Sequence, residues 1–228
     1  MIQYNVKNSK NEVTILSIKG TSYKKDMIID AQLYLPSVLF NLLTTFSNLD
    51  QQKETYTFKI IEYSLSIPYR LFFQFNVIKD YLEKLKKAYN NKKRPYKHII
   101  IVGHSVGGGL AKLLGRMTKK QAISLSGPGI NAFHSLFKYE GKSENFGITG
   151  IDLVPDLDIV PRVEISGGNF HRIICKDNPK LCHGKELSLC EVLIMCKKPK
   201  EIIDKYCKNI AGLDDERINS INESAIFD

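Results

Sequence analysis

Four β-branched residues in succession, Ile99-Ile100-Ile101-Val102, run without a break into Gly103-His104-Ser105-Val106-Gly107-Gly108-Gly109. A short block that is apolar at every position suits a strand covered on both faces, the usual state of a central strand in a parallel sheet. The glycines allow the chain to turn sharply. Leu110, Ala111, Leu113 and Leu114 then supply the apolar side of a helix. The order is strand, tight turn, helix, and it points to an α/β protein.

The rest of the chain repeats that alternation. Residues 13 to 18, Val-Thr-Ile-Leu-Ser-Ile, form a β-rich run after a turn-like segment at 8 to 11, which predicts a hairpin ending at Gly20-Thr21. From Pro68 on, Leu71, Phe75, Ile78, Leu82, Leu85 and Tyr89 keep the three-or-four spacing of an amphipathic helix, stopped by Asn90-Asn91 and Lys-Lys-Arg-Pro. Two further β-rich segments run from Ala122 to Ser126 and from Ile148 to Val154. Helical pieces are expected over Glu201 to Cys207 and Asp214 to Ile221. Strands alternating with helices imply a parallel sheet. A length of 228 residues with no repeat fits one domain over 1–228, with a Cys-rich C-terminal part from about 170 to 207.

The spacing Gly103-x-Ser105-x-Gly107 carries chemistry as well as shape. A serine on a sharp strand-to-helix turn stands exposed above the sheet, and side chains in place of the flanking glycines would clash. Gly108, Gly109 and Ala111 keep the helix side small where it must pack closely. A phosphate-binding loop is the competing reading, but the Walker Lys-Ser/Thr ending and the G-x-G-x-x-G spacing are both missing. A nucleophilic serine needs a base, and the base needs a carboxylate to hold its tautomer. The usual chain order in such folds is Ser, Asp, His. Asp152, Asp156 and Asp158 all lie near the end of the strand that follows Ser126. Beyond them the chain has only His171 and His183. His183 is preferred, because it lies in a loop that cysteine crosslinks could fix, whereas His171 alternates with Phe170 and Ile173 in a strand. His104 belongs to the turn itself, too close in sequence to act as base on Ser105.

At this point the chain resembles a known family. Gly103-His104-Ser105-Val106-Gly107-Gly108-Gly109-Leu110-Ala111 is similar to the GHSLGGxLA block of the class 3, fungal-type lipases, with Val106 in place of Leu. Gly20-Thr21, followed by Asp26 and Asp30, resembles the family's upstream G-T block. Ser126 to Gly129 and Asp158-Ile159-Val160-Pro161-Arg162 match two later blocks in the right order. The stretch from Asp158 to Cys196 looks more like the branch that includes autophagic vacuolar lipases.

The resemblance implies an α/β-hydrolase fold, a mostly parallel central sheet with helices on both faces. It also implies a triad of Ser105, Asp158 and His183, of which Asp158 matches the D-I-V-P-R block. The oxyanion hole would use Thr21 and the backbone N–H of Val106. The implied activity is that of a serine carboxylic-ester hydrolase on lipid, a triacylglycerol or phospholipid lipase, with no metal or organic cofactor. A catalytically inactive relative that binds lipid or membrane is the alternative.

The formal net charge of +9 arises largely from short lysine clusters such as Lys84, Lys86 and Lys87 or Lys197, Lys198 and Lys200. Such clusters would suit a lipid–water interface and peripheral association with an anionic membrane. No nucleic-acid motif or aromatic-basic stripe accompanies them, so nucleic acid is not expected as a partner. Apolar residues between about Ser47 and Phe75 are candidates for a lid. Neither a signal peptide nor a membrane span is visible; Ala31 to Leu49 is too interrupted and reads as an amphipathic helix. Cys175, Cys182, Cys190, Cys196 and Cys207 predict one or two disulfides and a spare thiol, with zinc the lesser reading. They would suit a secretory or vacuolar compartment if the N-terminus is incomplete, since family members carry a longer stretch before the Gly20-Thr21 block.

Overall fold

The computed structural model describes residues 2–8, 11–20, 98–130, 150–162, 169–175 and 178–224, with the helical residues Asp80, Lys84 and Lys87. These last three are exposed and belong to the polar side of the helix expected after Pro68. A six-stranded sheet holds the strands in chain order. They are β1 (Ile2–Asn8), β2 (Asn11–Ile18), β3 (His98–His104), β4 (Gln121–Leu125), β5 (Gly150–Pro155) and β6 (Asn169–Ile173). β1 and β2 form an antiparallel hairpin closing at Asn8 and Asn11, where the sequence predicts a turn. From β2 to β6 every pair is parallel, and the fold is that of an α/β hydrolase.

Pleating divides the strands between two faces. Leu16, Ile101 and Ala122 share one row through the register Leu16↔Ile101 and Ile101↔Ala122, and all three are buried. Helix α1 (Val106–Thr118) lies on that face. Gly115 rests on the Ala122 side chain and Gly108 on the Ser124 hydroxyl, with no room for a Cβ at either glycine. Burying an aliphatic side chain such as Leu16 or Ile101 contributes about 1.5–3 kcal/mol.

An unexpected element of this packing is Lys112, in the middle of the apolar run of α1. Its side chain is fully buried, and Nζ donates to Asp152 Oδ2 at 2.6 Å and to the Gly127 carbonyl at 3.1 Å. One lysine thus ties the helix after Ser105 both to β5 and to the loop after β4. On the opposite face, Val102, Ile123, Leu125 and Leu153 line a cavity of about 490 Å³, closed in part by Lys185 and Leu189.

Beyond β6 the chain forms α2 (Pro179–Cys182), α3 (Lys185–Met195) and α4 (Lys200–Ile203). α4 runs on into a π-helical turn, Asp204–Lys208, and α5 (Asp215–Ser224) follows. This region has a core of its own, in which Cys175, Cys182, Leu187, Cys190, Ile194, Cys207, Ile218 and Ile221 pack together. Disulfides join Cys175 to Cys182 and Cys190 to Cys207, and Cys196 is a free, exposed thiol. The sulfurs that a zinc site would have used are therefore bonded to one another. Such bonds suit an oxidising compartment. Among the described residues no helix is long and apolar enough to cross a membrane.

Candidate active site

The turn from β3 into α1 is built by steric necessity. Ser105 sits at φ 57° and ψ −133°, a backbone conformation disfavoured for any residue with a Cβ. The surroundings hold it there: Ser105 N–H donates to the Leu125 carbonyl at 2.9 Å, and its own carbonyl accepts from Gly108 at 2.8 Å and Gly109 at 3.2 Å. A Cβ on Gly103 would run into the Gly107 carbonyl, and one on Gly107 into the Ile18 carbonyl. Both glycines are thus required for close approach. Strain held in this way at one half-buried serine is the backbone geometry that a nucleophile elbow requires.

Asp158 follows β5 in a tight turn, its N–H donating to the Pro155 carbonyl at 3.1 Å. Its carboxylate is fully buried, and Oδ1 accepts the Val160 N–H at 2.9 Å. His183 caps the C-terminus of α2, and its ring reaches in both directions. Nδ1 lies 2.9 Å from Asp158 Oδ2 and 3.1 Å from Oδ1, while Nε2 lies 3.0 Å from Ser105 Oγ. With Nδ1–H donating to the carboxylate, Nε2 is left to accept the serine hydroxyl. His183, with Asp158 25 positions and Ser105 78 positions before it, completes one unbroken line of hydrogen bonds.

His104, next to the serine, stands behind this line. Its Nε2 bonds the His183 carbonyl at 2.7 Å, and because a carbonyl can only accept, that nitrogen carries the proton. The two imidazoles lie 5.0 Å apart at 40°. Burial lowers the His104 pKa below its ordinary 6.5, opposed in part by the bond to the His183 carbonyl. The direction of that shift favours the neutral imidazole at His104.

The other sequence candidates are placed elsewhere. Asp152 points to the α1 face and pairs with Lys112. Asp156 is bonded by the Arg172 side chain, and its carbonyl accepts from Arg162. His171 is exposed on β6. Val106 opens α1 directly after the serine, so its N–H is at the helix N-terminus. Thr21, the lid candidates between Ser47 and Phe75, and the expected helix over Ala31 to Leu49 all lie outside the described residues. The sequence did not reveal the buried Lys112–Asp152 pair; the one available signal was a lysine set between Ala111 and Leu113 in an apolar run.

A serine at the crest of a strand-to-helix turn, on a five-stranded parallel array with helices, places the protein among the α/β hydrolases. The particular family follows from comparison: the class 3 lipases match over residues 15–165. The chain belongs to the class 3 lipase family, which makes it lipase-type. No curated protein and no solved structure matches it.

Proposed function

We propose that this protein is a serine hydrolase of lipid esters, with Ser105 as nucleophile, His183 as general base and Asp158 as the carboxylate that orients the base. The single observation that carries the reading is His183 held between Ser105 Oγ at 3.0 Å and the buried Asp158 at 2.9 Å. Ser105 Oγ attacks the acyl carbonyl while His183 Nε2 takes its proton. The Val106 N–H, with Thr21 as the second donor, stabilises the oxyanion; loss of one such donor lowers turnover by about 10²- to 10³-fold. His183 then gives its proton to the departing alcohol, and water releases the acyl group from Ser105 by the same route. None of these steps calls for a metal or an organic cofactor.

Two features favour lipid as the substrate. The cavity beside Gly20 and His104 has apolar walls from Ile18, Val102, Ile123, Leu125, Leu153 and Leu189, and its volume lies in the range of small-molecule sites. Leu157 and Ile159, which flank Asp158, and Leu181, two residues before His183, leave apolar side chains exposed around the site. A lipid–water interface, peripheral to an anionic membrane, fits these together with the net charge of +9. The disulfide-bearing C-terminal region supports the autophagic vacuolar branch within the family and a secretory or vacuolar setting.

Labelling with a fluorophosphonate probe tests the mechanism without a choice of substrate. The wild type should be labelled and should hydrolyse acylglycerol or phospholipid esters, and Ser105→Ala should do neither. A folded wild type that binds lipid vesicles but neither labels nor turns over ester would refute catalysis and leave a lipid-binding protein.

A further inference from the structure

Two members of the proposed triad are built into the sheet, and the third is not. Ser105 follows β3 and Asp158 follows β5, where strand and turn hydrogen bonds hold them. His183 stands at the end of α2, a helix of four residues. One turn of helix does not hold itself in water, so the base depends on what α2 is fastened to. Two attachments flank it. Cys182, the residue immediately before His183, is fully buried and bonded to Cys175, two residues past the end of β6. On the other side the His183 carbonyl accepts the hydrogen bond from His104.

Apart from these two attachments and the ring's own bonds to Asp158 and Ser105, the described hydrogen bonds of this segment are those of its own turn and one from Ser188 Oγ to the Cys182 carbonyl at 3.4 Å. Among the described residues, four of the eight buried members of its core are the bridged cysteines; Leu187, Ile194, Ile218 and Ile221 are the others, with Ile203, Tyr206, Ala211 and Leu213 partly buried against them. A core that small needs crosslinks to persist. The two bridges have different positions relative to the base. Cys190–Cys207 joins α3 to the π-helical turn, both C-terminal to His183. Cys175–Cys182 is the crosslink that, beyond the short run of main chain, fastens the His183 segment to the end of the sheet.

We propose that the Cys175–Cys182 disulfide is a positioning element for His183 and a redox switch on the hydrolase. With the bond made, the imidazole is held on Ser105; with it reduced, α2 is released from β6 and the base leaves. The inference rests on the triad reading above. A dithiol reductant performs the step: one thiolate attacks a protein sulfur, the S–S bond breaks and a mixed disulfide forms. Its second thiol then displaces the protein sulfur. Two electrons and two protons pass to Cys175 and Cys182, and the dithiol leaves as a cyclic disulfide. Both cysteines are buried, but the residues that lead into Cys182, Asn178 to Leu181, are exposed. Local opening of that one turn admits the reductant.

The test is a titration of the oxidised, full-length protein in dithiothreitol redox buffers. Each sample is divided for alkylation and mass-spectrometric mapping of thiols, for hydrolysis of a soluble nitrophenyl ester, for fluorophosphonate labelling and for circular dichroism. Turnover should fall about 10²- to 10⁴-fold, the contribution of a general base, in step with the appearance of Cys175 and Cys182 thiols, and should return on reoxidation. The sheet signal should persist. Added imidazole should restore part of the lost turnover, as it should in oxidised His183→Ala, because nucleophile and oxyanion donors remain; a general loss of fold gives no such rescue. Cys175→Ser with Cys182→Ser should match the reduced enzyme, and Cys190→Ser with Cys207→Ser should keep the dithiol response. If the paired serine variants fail to fold, the wild-type titration decides alone. Unchanged turnover with both thiols free, a loss that follows Cys190 and Cys207 instead, or a loss that imidazole does not relieve would each overturn the switch. An oxidised enzyme that never labels at Ser105 would overturn the hydrolase reading itself, a separate result.

Discussion

Asp158→Asn isolates the contribution of a single proton on the base. The amide has nearly the size of the carboxylate, and its oxygen can keep the bond from the Val160 N–H. Its NH2 then faces His183 Nδ1, where a carboxylate oxygen stands at 2.9 Å. Two donors cannot share that line, so the imidazole gives up its Nδ1 proton and carries one on Nε2. In that tautomer it donates to Ser105 Oγ and cannot take the serine proton. The geometry is preserved and the chemistry is blocked. Where a triad carboxylate is exchanged in this way, the loss is about 10⁴ in kcat. Four tenfold steps at about 1.36 kcal/mol each add ~5.4 kcal/mol to the barrier.

The same structure predicts where the loss will not appear. Asp158 is fully buried behind His183, so KM for a soluble ester should stay within about threefold of wild type while kcat carries the whole effect. Steady-state hydrolysis near pH 7, with circular dichroism to establish that the variant is folded, gives both quantities. A folded Asp158→Asn enzyme with kcat within tenfold of wild type would refute the tautomer argument. So would an equal loss in Asp156→Asn, since Asp156 is bonded to Arg172 and not to His183.

Two further outcomes follow from buried charge. Lys112→Met leaves Asp152 without the ammonium 2.6 Å away; breaking a buried pair from one side costs about 3–5 kcal/mol. At about 2–4 °C per kcal/mol for a chain of this size, Tm should fall by roughly 6–20 °C, and adding Asp152→Leu should recover most of it. A single variant melting within 2 °C of wild type would show that the pair does not hold α1 to β5. The second concerns pH. Burial lowers the pKa of His104 from its ordinary 6.5, so below that value the unfolded chain binds a proton that the folded one resists. Its contribution is therefore fully present above the unfolded pKa and is lost as pH falls from there toward the lower folded value. Urea unfolding at pH 7.5 and at pH 5 should show a larger drop for wild type than for His104→Asn; equal drops would remove His104 from the account.

The parts of this molecule that were legible in the sequence are those decided by neighbours along the chain. Ile99 to Val102 and the glycines around Ser105 specify a buried strand and a turn without help from elsewhere, and β3 and α1 appear there. The choice among Asp152, Asp156 and Asp158 was of another kind. Position alone left all three open, because only their distant partners separate them: Asp152 turns toward Lys112 on α1, Asp156 toward Arg172 on β6, and Asp158 toward His183. Helices α2 and α3 gave little sign of themselves. α2 has only four residues, and in α3 Leu187, Leu189, Cys190, Val192, Leu193 and Ile194 leave no polar stripe to set the period. The cysteine pairing could not be read either, since spacing does not say which sulfurs meet; the bridges connect residues 7 and 17 positions apart.

The division between sheet and satellite also explains how a strained serine and a loosely supported histidine coexist. Strain at Ser105 persists because β2, β3, β4 and α1 surround it closely, and the Lys112 contacts prevent α1 from relaxing away from the strands. No comparable enclosure holds His183, which meets Ser105 from the end of α2 and stays partly exposed. A histidine in such a place cannot be fixed by burial. It can be fixed by its backbone, and the groups available for that are in use: the N–H through the Pro179 carbonyl, the carbonyl through His104, and the preceding residue through Cys175. The bond from His104 has a second effect, since His104 is the neighbour of the nucleophile. It links the His183 carbonyl to the residue next to Ser105, so that the 3.0 Å contact between Ser105 and His183 is bridged by a second bond of 2.7 Å.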